Sequence, residues 1–565
     1  MLVRSTLGLL TLALAVAPAD AQSFAVRRLD LQPDGNLSPN YCYEPVVSAG
    51  GEWVLFEGTA TDLTAVPPVT TPGAVNERFL YRCEVRTRTF EQVGLSSTGT
   101  PLMPFSGTFG LFSEALGTNG RRTISDDGNV IAFSTLTDDP GLGDTNGRID
   151  VYVRDVAAGV TELVSANLSG GGSEGRSQNV SMSGDGRYVA FLASGDDMAP
   201  GLSGGSFTGS EAGRRVYLQD RVLGTRTLLS VVTGDSSTEE NAIDVHVTQD
   251  GSAVYWSSVM GSILYGFSAA GPGAVKRHDI ASGVTTERVF ANLPRFLSVT
   301  ADGSKLCYTT IEALVPEDDD INQYDVYVYD WATGTPQLAS VGTLGEGGHP
   351  HIVTPWISGD GRYVSFTTAQ SAIIQPGLAQ AGPHGDWQLW TKDLETGLLA
   401  LVSVDDFGKP GWSPNDIDKA RFGVGASLSA DGATVVFTST YNSLPHNNVG
   451  GEYSLYIHER RFGPRDLAVQ GLHAGQTATI EATGQTPNGL VMVAFSTTGQ
   501  GPSGSYWGPI DLAGPYQYRM AQADATGKAV FHEAIPAGAW GMELYAKALD
   551  QGTNRLSRSW FGIVR

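Results

Sequence analysis

A tight turn recurs along most of this chain, and a period of about 50 to 70 residues restricts it to a propeller or a stacked array. The clearest copies are Ser125-Asp126-Asp127-Gly128, Ser183-Gly184-Asp185-Gly186 and Ser358-Gly359-Asp360-Gly361, each leading into an alternating run that ends in Phe133, Phe191 or Phe366. Asp-Gly suits a two-residue hairpin turn, whose central residues both need positive φ. Each copy is therefore expected to join two antiparallel strands. Weaker copies at Asp250-Gly251, Asp302-Gly303 and Asp431-Gly432, with a degraded one at Gly50-Gly51, bring the count to seven.

A second signal follows each turn: an alternating strand that ends in an acidic residue, then usually Gly, as in Asp150 to Asp155 and Gly159. It recurs at Asp220, Asp279, Asp330 and Asp393, with Glu84 to Arg88 and Glu459 to Gly463 as imperfect copies. Each unit thus supplies four antiparallel strands, one propeller blade. The seventh unit lacks its fourth strand, while Ser23 to Leu31 reads as a strand with no unit of its own. The N-terminal strand is expected to complete the last blade, which removes an exposed edge. A six-bladed ring with one irregular insertion is the alternative.

Ser183 to Phe191 and Asp150 to Asp155 resemble TolB-like (WD40-like) propeller repeats, over roughly residues 22 to 464. The resemblance implies an all-β, seven-bladed β-propeller. It does not imply one activity, because such propellers serve as interaction hubs, as lids on peptidases and as parts of lyases. After Pro464 the repeat ends, and alternating strands at His473 to Ala482 and Leu490 to Ser496 predict a small β-sandwich over residues 465–565. That segment is similar to a short domain of secreted planctomycete-type bacterial proteins. Trp507, Tyr516 and Trp540 there fit either a carbohydrate platform or an aromatic core.

Residues 1–21 read as a cleaved signal peptide: Arg4, an apolar stretch from Leu7 to Val16, then Ala19-Asp20-Ala21. The expectation is a periplasmic or secreted protein with no membrane span once mature. Only Cys42, Cys83 and Cys307 occur, so disulfides are not the framework; Cys42 and Cys83 share a repeat, and unpaired thiols are favoured over a bridge. A net charge of −23 with no basic cluster opposes nucleic-acid partners.

The chemistry-bearing patterns are sparse. Ser173 and Ser203 sit in Gly-x-Ser-x-Gly matches, yet neither follows a buried strand and opens a helix. Asp144, Asn146 and Asp150 place oxygen ligands around Gly147 and define a candidate structural calcium site, although the distal Glu of an EF-hand is missing. Asp318, Asp319, Asp320, Asn322 and Asp325 form a weaker one, and His349, His351, His384 and Asp386 a weak transition-metal candidate.

Propeller geometry directs attention to the axis, where seven inner strands converge. Counting back four residues from each turn Ser or Thr gives Glu44, Arg121, Asn179, Asp244, Phe296, Thr354 and Gly425, with Arg122, Arg295 and Trp356 adjacent. From these, Glu44, Arg121, Asn179, Asp244, Arg295 and Trp356 are the candidate ligand-binding residues. Arg121 with Arg295 would make a carboxylate clamp, and Glu44 with Asp244 is the one axial pair fit for glycosidase chemistry. The expected function is a non-catalytic binding or scaffold protein with a protein or polysaccharide partner. The alternative is a polysaccharide lyase or glycosidase with an axial active site.

Overall fold

The computed structural model describes residues 26–32, 41–64, 78–103, 121–200, 214–230, 241–259, 272–318, 324–341, 353–368, 388–395, 397, 399–403, 426–440, 444, 453–459, 467–483, 487–497, 502–505, 508–511, 516–550, 555–556 and 560–564. Among them the helical pieces are three single turns, Pro140–Leu142, Asp196–Met198 and Ala537–Ala539. No helix of the described residues is long and apolar enough to cross a membrane. The signal-peptide segment lies outside the described residues.

The protein is a seven-bladed β-propeller. Blade 3 shows the pattern, with strands Ser177–Met182, Tyr188–Ala193, Arg215–Asp220 and Thr225–Leu228 paired in order, all antiparallel. Six sheets have four strands; blade 2 has three, plus a bridge between Ile124 and Ile131 that marks its inner strand. Aromatic residues of the second and third strands face each other in register and stack in five blades: Phe56 on Tyr81, Phe133 on Tyr152, Phe191 on Tyr217, Tyr308 on Tyr327 and Phe437 on Tyr456. Their centroids lie 5.6 to 6.3 Å apart. Each such pair contributes about 0.5–1.5 kcal/mol beyond the area it buries.

The repeated turn corrects one expectation. Only its glycine is left-handed, with φ of 73° at Gly128 and 72° at Gly186; the preceding aspartate is not. Gly128 N–H donates to Ser125 O and Ser125 N–H to Val130 O, so four residues, not two, make the loop. The aspartate acts through its side chain: Asp127 Oδ1 accepts from Asn129 N and from Ser125 Oγ, which in turn accepts from Val130 N. This bonding of a carboxylate to the amide two residues on is what fixes Asp there. Ser183 with Asp185, Thr300 with Asp302, Ser358 with Asp360 and Ser429 with Asp431 repeat it.

These turns also join the blades. Asp126 N donates to Gly184 O, Gly184 N to Gln249 O, Ala301 N to Gly359 O and Ala430 N to Ala49 O, each at 2.8 Å. A Cβ on Gly128 would fall 2.2 Å from the Trp53 ring, and one on Gly51 of the first blade 2.6 Å from Thr434 of the seventh, so the circle closes through glycine contacts.

Val26–Arg28 pairs antiparallel with Ser454–Glu459, Val26 opposite His458, and so supplies the fourth strand of the last blade. A buried ion pair locks it: Arg28 donates through Nε and Nη2 to the two oxygens of Asp30 at 2.9 and 3.0 Å, and Asp30 Oδ1 accepts from Leu455 N. All three cysteines are buried free thiols, so Cys42 and Cys83 form no bridge. Beyond residue 466, a three-stranded sheet containing Thr477–Ala482 and a five-stranded sheet around Leu490–Ser496 share one apolar core, with Leu467, Ile480 and Phe531 against Val491, Val493 and Ala546. Trp540 stands 77% exposed outside that core.

Candidate functional site

An inner strand pairs on one side only, leaving its other edge of N–H and C=O groups toward the axis. Those groups need partners. Neighbouring blades provide them: Ser427 Oγ accepts from Val47 N, Ser181 Oγ from Val247 N and Ser298 Oγ from Ile357 N, at 2.9 to 3.0 Å. Four residues before each turn Ser or Thr the strand bulges, with register shifts in blades 1, 3, 4, 5 and 6. Glu44, Asn179 and Phe296 sit at that position with φ of 52°, 57° and 53°. Non-glycine residues there lose about 1–2 kcal/mol, and the bulge redirects their side chains. Asn179 uses this to donate from Nδ2 to Ile243 O of the next blade.

Arg121 and Asp244 meet across the axis. They belong to blades 2 and 4, with blade 3 between them, and Arg121 Nη1 lies 2.8 Å from Asp244 Oδ1. Asp244 Oδ2 accepts from Leu297 N at 3.3 Å and stands 3.1 Å from His246 Nε2. Arg121, Asp244 and His246 are 1%, 3% and 1% exposed. Burial by itself would raise the Asp244 pKa; His246 and Arg121 outweigh it and hold the carboxyl below its ordinary range. Asp244 is therefore a fixed anion at neutral pH, unsuited to act as a general acid.

The remaining nitrogens of Arg121, Nε and Nη2, are buried without a hydrogen-bond partner among the described residues, as is Arg122 Nη2. Arg122 occupies the register position held by buried Val180, Val245 and Leu297 in the next three blades. Burial pushes its guanidinium down to about 10, with Asp126 pulling the other way. Below this cluster the axis is narrow: Gln249 Nε2 donates to both oxygens of Asp126 at 3.2 Å, and Gly184, Gly359 and Ala430 leave little space beside them. At about 3.3 Å per residue, Arg121 lies roughly 15 Å above that floor, toward the face where the longer connections leave the blades.

The other axial candidates part company. Glu44 is buried in the same ring, whereas the Arg295 guanidinium lies over the Tyr324 ring at 5.8 Å, so the two arginines have different partners. Trp356 is 3% exposed and belongs to the apolar core with Leu389, Val402 and Leu428, which corrects its placement as a ligand contact. His246 was not singled out by sequence. It is two residues past Asp244, and the equivalent positions are Val46, Thr123, Ser181, Ser298, Trp356 and Ser427, so it is the one ionisable residue in its row. The side chain of Thr354, and Gly425, lie outside the described residues.

The calcium candidates are a bonded cluster. Asp150 Oδ1 accepts from Ser165 Oγ at 2.5 Å and Oδ2 from Asn146 Nδ2 at 2.7 Å; Asn146 Oδ1 accepts from Arg148 N; Asp144 Oδ2 accepts from the Tyr152 hydroxyl. Burial pushes Asp150 up to about 7. Blade 5 repeats the pattern, with Ser340 donating to Asp325 and Tyr327 to Asp318. Among the described residues no three His, Cys, Asp or Glu side chains gather as metal ligands. Asp319, Asp320, Asn322, His349, His351, His384, Asp386, Ser203 and Trp507 lie outside the described residues. Ser173 is wholly buried and donates to Asp197 Oδ1, on no helix and with no histidine beside it among the described residues.

A cleft of about 860 Å³ opens on the opposite, turn face, between Gly50 and Gly51 of blade 1 and the Asp360 and Asp431 turns. Small residues create it: Ala433 and Thr434 stand where blade 6 has Arg362 and Tyr363. Four of its five acids are already engaged, Asp360 and Asp431 by their own turns, Glu459 by Arg27 and Glu84 by Thr87.

The sequence matches no protein-family model and no curated protein. Among solved structures it is similar to an oligogalacturonate lyase in complex with manganese, at 14% identity and a TM-score of 0.44 over 78% of this chain and 95% of that one. It is also similar to the β-propeller domain of the Trilobed protease from Pyrococcus furiosus, at 12% and 0.40 over 74% and 95%. A third is Pyrococcus horikoshii acylaminoacyl peptidase, at 10% and 0.41, where the match spans 79% of this chain but 57% of the peptidase. Likeness this distant says nothing about chemistry; the seven sheets themselves make the chain a β-propeller.

Proposed function

We propose that this is an exported, non-catalytic binding protein that receives its ligand at the propeller axis, from the face bearing the long connections. One observation carries the proposal: the axis is narrow at the turn end, and nearer the opposite face stands a buried cation, Arg121, that its counter-ion Asp244 only partly satisfies. A few convergent polar groups are what orient a ligand in a binding site. In the glycosidase alternative Asp244, held ionised between Arg121 and His246, leaves the acid role to Glu44. Lyase chemistry is the second reading, favoured by His246 beside Asp244 and a cation, a set that can take up a proton while charge is stabilised nearby.

The test is hydrogen–deuterium exchange on the mature chain with panels of acidic and neutral oligosaccharides and of peptides. Slowed exchange in Ser177–Met182 and Asn241–Val247 on ligand addition is expected, with the ligand recovered unchanged. Protection confined to outer strands or to residues 467–564 would refute the axial site. Recovery of an unsaturated product would replace binding with lyase activity.

A further inference from the structure

We propose that the cleft on the turn face binds an arginine side chain of a partner polypeptide, held by Glu52 and Glu84 of blade 1. This site is separate from the axial one and lies on the other side of the ring. In blade 3 the residue after the turn glycine, Arg187, donates through Nε and Nη2 to the two oxygens of Asp220, the acid that ends the third strand, at 3.1 and 2.7 Å. Blade 6 repeats the fork with Arg362 and Asp393 at the same distances, and blade 2 makes a neutral version in which Asn129 Nδ2 donates to Asp155.

Blade 1 keeps the acid and reverses the base. Glu52 follows Gly51 as Arg187 follows Gly186, and its carbonyl accepts from Val85 N as that of Arg187 accepts from Arg221 N. Trp53 stands opposite Glu84 as Tyr188 stands opposite Asp220, so two glutamates share the register at which blades 3 and 6 hold an ion pair. Like charges at facing positions of neighbouring strands are destabilising. Glu84 spends Oε2 on the Thr87 hydroxyl, and the Glu52 carboxylate has no partner among the described residues. Arg86, exposed on the same rim, forms no ion pair among the described residues either.

The two carboxylates are accessible, and there is space beside them. Glu52 is exposed and Glu84 half-buried, and both line the cleft of about 860 Å³. Blade 7 opens that space, because Ala433 stands where blades 3 and 6 have the arginine. Five acids and two arginines line it, and Arg362 is already committed to Asp393 and Glu395, so the cleft presents negative charge to an incoming cation. The net charge of −23 draws a basic partner toward the same surface. A guanidinium is favoured over an ammonium or a metal ion: its planar fork is what the ring uses at this register, and no three metal-ligating side chains gather among the described residues.

The probe is a blocked tetra-arginine peptide, compared with a twin in which citrulline keeps the shape and loses the charge. Titration calorimetry on the mature chain should show the arginine peptide binding about fivefold or more tightly than its twin, the upper ratio for an accessible ion pair. Glu52→Arg supplies the missing base from within; it should abolish the preference and, by pairing with Glu84, raise the melting temperature. Glu174→Arg makes the same charge change at an exposed loop on the opposite face and should alter neither. If Glu52→Arg does not fold, the milder Glu52→Gln should cut the preference at least about twofold.

Equal binding of the two peptides, no millimolar binding of the arginine peptide, a preference kept in Glu52→Arg, or one lost equally in Glu174→Arg would overturn the proposal. The last of these would assign the attraction to the charge of the whole chain. None of them bears on the axial reading, which stands or falls with protection of the inner strands.

Discussion

Two buried polar clusters in this propeller look alike in composition and differ in kind. At the outer end of blade 2, Asp144, Asn146, Asp150, Tyr152 and Ser165 bond one another through every carboxylate oxygen, and blade 5 repeats the core of the set with Asp318, Tyr327, Asp325 and Ser340. At the axis, Arg121, Asp244 and His246 occur once, and part of the guanidinium is left over. In a repeat protein, a polar group that returns at the same register does work every blade needs, here tying the third strand to the end of the fourth. One that appears in a single blade does something the other blades do not need. The same comparison explains why Asp150 drew attention as a calcium ligand: oxygen-rich loops and saturated hydrogen-bond latches have the same composition.

The largest effect tests the singular cluster. Asp244→Ala removes the anion bonded to Arg121 and leaves a cation buried, a change that typically destabilises by about 3–5 kcal/mol. Urea unfolding of the isolated variant at pH 7 should show a loss of that order. The loss also carries a pH signature. Because the Asp244 pKa is depressed in the fold, its contribution is present above the ordinary carboxylate range and fades as pH falls through the folded value. The gap between wild type and Asp244→Ala should therefore close in acid, below about pH 4. A gap that is small at pH 7, or independent of pH, would mean that the axial pair is not the ion pair described.

The recurring cluster predicts something different: equal penalties in different blades. Ser165 Oγ donates to Asp150 and accepts from Val151 N, while Ser340 Oγ donates to Asp325 and accepts from Val326 N. Ser403 does the same for Gln388 and Leu389 N. Ser165→Ala and Ser340→Ala should each destabilise by about 1–3 kcal/mol, the range for leaving a buried amide unpartnered, and the two should agree closely. A much larger penalty in blade 2 would give that cluster a role beyond architecture and restore interest in a bound cation there.

Much of this was legible in sequence because the repeat is visible as residue types. Asp-Gly pairs, the acid that ends each third strand and the orphan N-terminal strand were enough for blade count and ring closure. The offset of four residues from the turn also located the bulge that shapes the axis, since Glu44, Asn179 and Phe296 are the left-handed residues there. Partnership was not legible. Nothing in a linear pattern shows that Asp244 faces Arg121, 123 residues away, or that Trp356 turns into the core. The turn geometry was misjudged for a related reason: Asp-Gly is compatible with two turn types, and only the serine bonding to the aspartate decides between them.

The smallest effect concerns a blade that departs from the recurring pattern. After the third strand, Gly159, Gly224, Gly283, Gly334 and Gly397 adopt φ of 66° to 73°, and blade 1 has Arg88 at φ 55° in that place. The hydrogen bond is the same: Arg88 N donates to Glu84 O at 2.8 Å, as Gly283 N does to Asp279 O. Arg88 is exposed, so its side chain contributes little packing to set against a left-handed backbone that disfavours a Cβ by about 1–2 kcal/mol. Glycine relieves that strain but also loosens the unfolded chain, which takes back part of the gain. Arg88→Gly should therefore stabilise the protein by about 0.5–1 kcal/mol, read as a small rise in melting temperature with ligand binding unchanged. A destabilised variant would show that the arginine side chain contributes more to blade 1 than its exposure implies, and that recurrence across blades does not by itself identify the better residue.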